Sequence, residues 1–161
     1  MKLNLVITIS LALSGIISGA KGKQHFDRSS FYAALASESV DTINAELKSI
    51  VKSSITAREA FEGTLLIKKA GLVFNPVSKL SLFKSGHNKL DNAITKESNN
   101  AELRFLRLMI QENVPRILNY RNQIDEDSKI VRSSFKSLPL VVQKVIVDYS
   151  KTSKVLNPAF F

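Results

Sequence analysis

The residues best placed to do chemistry crowd around Pro115: Arg104, Arg107, Gln111, Asn113, Arg116, Asn119 and Tyr120. Arg104, Arg107 and Gln111 fall at steps of three and four, so a helix puts them on one side. Asn113 and Tyr120 stand where they could satisfy carbonyls that a proline break sets free. Such a strip is either an anion-binding surface or a polar network covering irregular backbone, and the network is the commoner use of these residue types. Arg104, Arg107, Gln111, Asn113, Arg116 and Tyr120 are therefore the candidate binding residues.

Other candidates have plainer roles. His87 lies on an apolar stripe with Asp91 one turn on, the pattern of a hydrogen-bonded edge histidine, and no further ligand stands at metal-binding spacing. His25 falls in a polar lead-in. Asp125, Glu126 and Asp127 suit the first turn of a helix, where the macrodipole favours carboxylates, and no glycine-bearing calcium loop surrounds them. Asp127 can also pair with Arg107, Arg116 or Arg121. No GxSxG, P-loop, GxGxxG or HExxH pattern occurs in the chain. With no cysteine, thiol nucleophiles, disulfides and zinc-thiolate sites are excluded. No catalytic residue, metal or cofactor is expected.

Hydrophobic spacing reads as helices throughout, an all-α chain of about six. Asp27 caps a short helix bearing Phe31, Tyr32 and Leu35; Ser39 caps a second with Val40, Ile43, Leu47, Ile50 and Val51 at helical spacing. Thr56 and Glu59 have capping-box spacing, opening a helix with Ala60, Gly63, Ile67, Ala70 and Phe74 along one side and ended by Asn75-Pro76. From about Ser78 to Lys96, Leu80, Phe83, His87, Leu90 and Ile94 form a core-facing stripe. Lys79, Lys84 and Lys89 spiral around it as solvated positions. Asn99-Asn100 breaks and caps, Leu103 to Gln111 is strongly apolar, and Pro115 kinks or ends that helix. Asn122 is placed to cap the next, with Ile130, Val131, Phe135 and Leu138 inward. Pro139 suits the first turn of the last, where Val142, Val145, Ile146 and Tyr149 make a helical stripe despite the β-branched content.

The first twenty residues carry a different message. Met1-Lys2, an apolar run from Leu3 to Ile17 and then Ser18-Gly19-Ala20 have the form of a signal peptide cleaved after Ala20. Residues 21–161 would then be the working domain. The 161-residue chain holds 23 Lys+Arg against 14 Asp+Glu, net +9; without Lys2 the remainder has 22 against 14, or +8. Export makes nucleic acid a poor explanation of that charge. An acidic protein or an anionic membrane surface explains it better. Lys136, Lys144, Lys151 and Lys154, with Phe160-Phe161, would suit the membrane alternative.

Between about residues 57 and 100, the helix pair around Asn75-Pro76, with Gly63, Gly86, Leu90, Ala93 and Ile94 and then Asn99-Asn100-Ala101-Glu102, resembles one tetratricopeptide-type (TPR-like) hairpin. The small residues would allow close helix approach. The match is partial, because Ser98 stands where a proline usually ends the second helix and no second copy follows. The wider run from Arg104-Phe105-Leu106-Arg107 through Asn113, Pro115, Tyr120 and Asp127 to Ile130 is similar to a family of small exported helical proteins of Bacteroidetes without an assigned activity. That resemblance implies export to the periplasm or cell envelope and a helical fold, and carries no catalytic residues. The expected function is a helical scaffold or protein-binding module with a partner in the envelope. The alternative is a small enzyme or ligand carrier with a polar pocket at 104–120.

Overall fold

The computed structural model describes residues 25–161; the expected signal segment lies outside them. Among these residues there are seven α-helices and no strand. They are α1 (Arg28–Ala36), α2 (Val40–Lys52), α3 (Arg58–Leu72), α4 (Pro76–Lys96), α5 (Ala101–Asn113), α6 (Ile124–Ser134) and α7 (Leu140–Ser150). Short 3-10 turns follow α5, α6 and α7 at Arg116–Leu118, Phe135–Ser137 and Pro158–Phe160. No helix among the described residues is long and apolar enough to cross a membrane.

Caps set most of the boundaries. Asp27, Ser39, Asn75 and Asn100 each accept a backbone N–H of the helix they precede, satisfying donors that a helix start leaves unpaired. Two expected caps do not form. α3 starts at Arg58 behind Ala57 with no side-chain cap, so Thr56 and Glu59 make no capping box, and Glu59 instead pairs with Lys96 across the hairpin at 3.1 Å. Gln123, not Asn122, precedes α6 and caps nothing. Pro76 occupies the first turn of α4, where its missing N–H costs nothing, and so α4 begins two residues earlier than Ser78.

α5 runs through the centre. Ala101 to Leu108, Ile110 and Gln111 are buried, so this helix is enclosed on nearly every side by α3, α4 and α6. Each fully buried Leu or Phe there contributes roughly 1.5–3 kcal/mol. Phe26, Phe31 and Phe61 meet at centroid distances of 4.5 to 6.0 Å and tie the start of the chain to α3. α7 packs beside α1, with Val142 and Ile146 buried and Tyr149 edge-on to Phe105 at 5.7 Å. The final aromatics are not free: Phe161 packs on Phe135 at 4.6 Å, and Arg132 lies 4.8 Å from the centre of the Phe160 ring.

α3 and α4 form the most extensive helix pair. A Cβ on Gly63 would lie 2.5 Å from the Gly86 carbonyl oxygen, and one on Gly86 would lie 2.5 Å from that of Gly63. The two backbones touch because neither position carries a side chain. Beyond this contact the tip of the hairpin runs clear of the bundle. Phe74, expected in the core, is 100% exposed there, and Val77 is 77% exposed. The 3.6-residue phase that buries Ile67 and Ala70 cannot bury Phe74, because α3 ends at Leu72.

Candidate functional site

α5 is an apolar helix that carries Glu102, Arg104, Arg107 and Gln111 into the interior. Each is met by a partner from another element. Glu102 accepts from Arg28 at 2.9 and 3.0 Å and from the Tyr32 hydroxyl at 3.3 Å, binding α1 to α5. Arg107 grips Asp127 side-on, Nε donating to Oδ2 at 2.7 Å and Nη2 to Oδ1 at 2.9 Å. Arg104 adds Nη1 to Asp127 Oδ1 at 3.0 Å and Nε to the Ser98 carbonyl at 2.8 Å. Asp127 is 0% exposed, with Arg104 at 7% and Arg107 at 6%. Burial pulls the Arg107 pKa down, but the Asp127 bonds and the charges of Asp127 and Asp91 outweigh it, so the guanidinium is held above its ordinary value and stays charged. Of the three arginines open to Asp127 by spacing, Arg107 is the one that pairs; Arg104 joins it, and Arg116 and Arg121 do not.

A second polar group lies on the other side of Arg107. Asp91 accepts from the Tyr120 hydroxyl at 2.8 Å and from Arg107 Nη1 at 3.5 Å, and its other carboxylate oxygen lies 3.3 Å from His87 Nε2. Asn119, at φ 48°, supplies the left-handed residue that ends the 3-10 turn after Pro115 and sends Tyr120 inward. There the phenol ring stands edge-on to the His87 ring at 4.2 Å and to the Phe83 ring at 6.1 Å. Burial and then the Asp91 carboxylate push the Tyr120 hydroxyl far above its ordinary value. It therefore serves as a fixed donor, and the cluster holds no activated nucleophile. Among the described residues no group of three or more His, Asp or Glu side chains could hold a metal ion.

The six expected binding residues thus do not converge. Arg104 and Arg107 are committed to Asp127. Gln111 is buried and donates to the Gln123 side chain at 2.7 Å, its own oxygen unpartnered among the described residues. Asn113 does satisfy a helix carbonyl, that of Met109 at 2.7 Å, and also reaches the Tyr149 hydroxyl at 3.1 Å. Tyr120 gives its proton to Asp91 instead of a freed carbonyl. Arg116 is exposed on the 3-10 turn.

Concavity is found elsewhere. An open, mainly apolar cleft of about 790 Å³ lies between the hairpin tip and the Pro115 turn. Ile67 and Ala70 of α3, Pro76, Leu80 and Phe83 of α4, Met109 and Ile110 of α5, and Val114 just after it line the cleft, with Leu35 and Tyr149 among the remaining residues. Ile117 and Leu118 make the opposite lip, and Ile117 is 92% exposed. Lys68 and Lys79 are the charged residues of the lining. A smaller hollow of about 500 Å³ adjoins it, sharing Leu80, Phe83 and Leu118 and adding Lys84, His87, Asn88, Asn119 and Tyr120. The stripe through Leu80 and Phe83 was expected in the core; in three dimensions its first two members wall the cleft. The one local signal for this surface is an apolar residue beside a proline break on either side, Phe74 before Asn75-Pro76 and Ile117 after Pro115.

The chain matches no protein-family model, no curated protein and no solved structure.

Proposed function

We propose that this protein is an exported helical binding module of the cell envelope, released from its leader after Ala20, which holds a protein partner in the cleft between the α3–α4 tip and the Pro115 turn. The observation that carries the reading is the cleft itself: about 790 Å³ and mainly apolar, with Ile117 of its lining 92% exposed. Binding sites are commonly concave, mainly apolar clefts of this volume. The close α3–α4 pairing through Gly63 and Gly86 supports the TPR-like hairpin, a unit used to present such surfaces. The net charge of +8 left after that cleavage favours an acidic protein, with an anionic membrane surface as the rival. The alternative, a small enzyme or ligand carrier with a polar pocket at 104–120, has Asn119 and Tyr120 in the smaller hollow in its favour, but Arg104, Arg107 and Gln111 have their side chains in the interior.

The test is site-specific photo-crosslinking in the native cell, with the reactive residue at Leu80 or Ile117, both exposed in the cleft lining, and, as control, at Leu140, which is exposed but outside it. One discrete protein adduct from Leu80 and Ile117 but not Leu140 is expected. Absence of a protein adduct from both cleft positions overturns the reading.

A further inference from the structure

We propose that the occupant of the cleft is an amphipathic helix with an acidic polar face, an inference that rests on the cleft being a protein-docking site. Shape is the first argument. The cleft has an apolar floor at Ile67 and Ile110 and two separated lips, Leu80 on α4 and Ile117 on the Pro115 turn. A helix about 10–12 Å across can span two such lips while one apolar stripe, at i, i+3 or i+4 and i+7, reaches the floor. A single acyl chain would fill the floor and leave Phe74 and Val77, which stand on the tip beyond the lining, in water.

Charge is the second argument. The lining contains Lys68 and Lys79 and no carboxylate. Lys68 is already paired with Glu38 at 2.6 Å, but Glu38 is 77% exposed, so that contact pair is weak and readily exchanged. Lys79, and Arg116 next to Ile117, have no ion pair among the described residues. Lys79 lines the cleft on α4 and Arg116 is the exposed chain neighbour of Ile117 on the Pro115 turn, so the polar face of a docked helix would emerge near both. Carboxylates there would meet cations on both sides, and lysines would meet like charge.

The test is selection of random peptides of about 18 residues, five turns of helix, displayed against the immobilised exported protein. Enriched peptides are then titrated by fluorescence anisotropy. Enriched sequences are expected to show helical apolar spacing and net negative charge. Ile117→Asp, a change at an exposed position that leaves folding intact, should weaken binding by at least about tenfold, and Leu140→Asp should leave it unchanged. Lys79→Glu with Arg116→Glu should weaken the acidic peptides several-fold and remove most of their salt dependence. Enrichment of neutral, basic or two-residue-period sequences overturns the proposal, as does no enrichment. Binding of phosphatidylglycerol vesicles at the same lips, with no peptide selected, overturns it in favour of a membrane. If these peptides fail while Leu80 and Ile117 still crosslink a protein, the acidic helix falls and the docking function stands; if crosslinking fails too, both fall.

Discussion

Asp127→Asn is the sharpest perturbation of this fold. The change keeps the side chain's shape but removes the one buried negative charge that two guanidiniums share. Three charge-assisted bonds, at 2.7, 2.9 and 3.0 Å, are lost or inverted, and the new amide N–H₂ faces arginine donors. The remaining acids compensate poorly. Glu126 reaches Arg104 at 3.2 Å but is 59% exposed, and Asp91 reaches Arg107 only at 3.5 Å. Breaking a buried pair by removing one partner costs about 3–5 kcal/mol, and two stranded cations place this case in the upper half of that range. A domain of this size has roughly 5–15 kcal/mol in all. With a urea slope of about 1.5 kcal/mol/M, a loss near 4 kcal/mol lowers the midpoint by between about 2 and 3 M. The assay is urea unfolding followed by circular dichroism. Replacing the whole cluster, Arg104→Met/Arg107→Met/Asp127→Leu, should recover about half of the loss or more, because no charge then needs burial. A drop under about 1 kcal/mol for Asp127→Asn at unchanged slope would refute the reasoning, since the guanidiniums would then be hydrated in the folded state.

Three further outcomes are expected. The chain's three tyrosines, Tyr32, Tyr120 and Tyr149, all have raised values, each from burial first and then from Glu102, Asp91 and Glu112 respectively. A raised phenol stabilises the fold in full below its ordinary value and loses that contribution as pH climbs above it, so tyrosinate absorbance should be nearly absent at about pH 11 and appear together with unfolding; normal titration of two or more tyrosines in the folded protein would contradict this. Gly63→Ala and Gly86→Ala should each destabilise by about 1–3 kcal/mol through the blocked α3–α4 contact, whereas Gly71→Ala, with nothing within 4 Å of the added carbon, should gain up to about 1 kcal/mol; thermal melts separate the three. Glu112 accepts from the Tyr149 hydroxyl at 2.9 Å, Ser153 Oγ at 2.6 Å and the Lys154 amide at 2.7 Å, so Glu112→Ala should cost about 1–3 kcal/mol and speed amide exchange across residues 150–156 before the rest of the chain.

Much of the local structure was legible in the residues. Asp27, Ser39 and Asn100 cap where polar residues precede apolar periodicity, and Pro115 ends α5, because capping and proline chemistry act within a turn of their own position. The close approach at Gly63 and Gly86 was legible as a use for small residues inside a helix, although Gly71 of the same α3 has nothing within 4 Å of an added carbon. The misses concern competition between neighbours. Thr56 with Glu59 has the right spacing for a capping box, yet Glu59 is drawn to Lys96, thirty-seven residues on. Phe160 and Phe161 look like a free aromatic end until Phe135 and Arg132 are placed beside them.

The candidate site divides along the same line. Composition and spacing by themselves determined an all-helical chain and an arginine-bearing strip on one side of α5, since helix periodicity is written into every three or four residues. They could not determine which way that strip faces. Arg104 and Arg107 point into the interior because Asp127, on a helix beyond the Pro115 turn, arrives to neutralise them, and burial of a guanidinium depends wholly on such a partner. The cleft is likewise a tertiary product. Phe74, Leu80 and Ile117 are as apolar as any core residue, and only the place where α3 ends and the chain turns after Pro115 leaves them on the outside, Leu80 and Ile117 facing a space the other described residues do not fill.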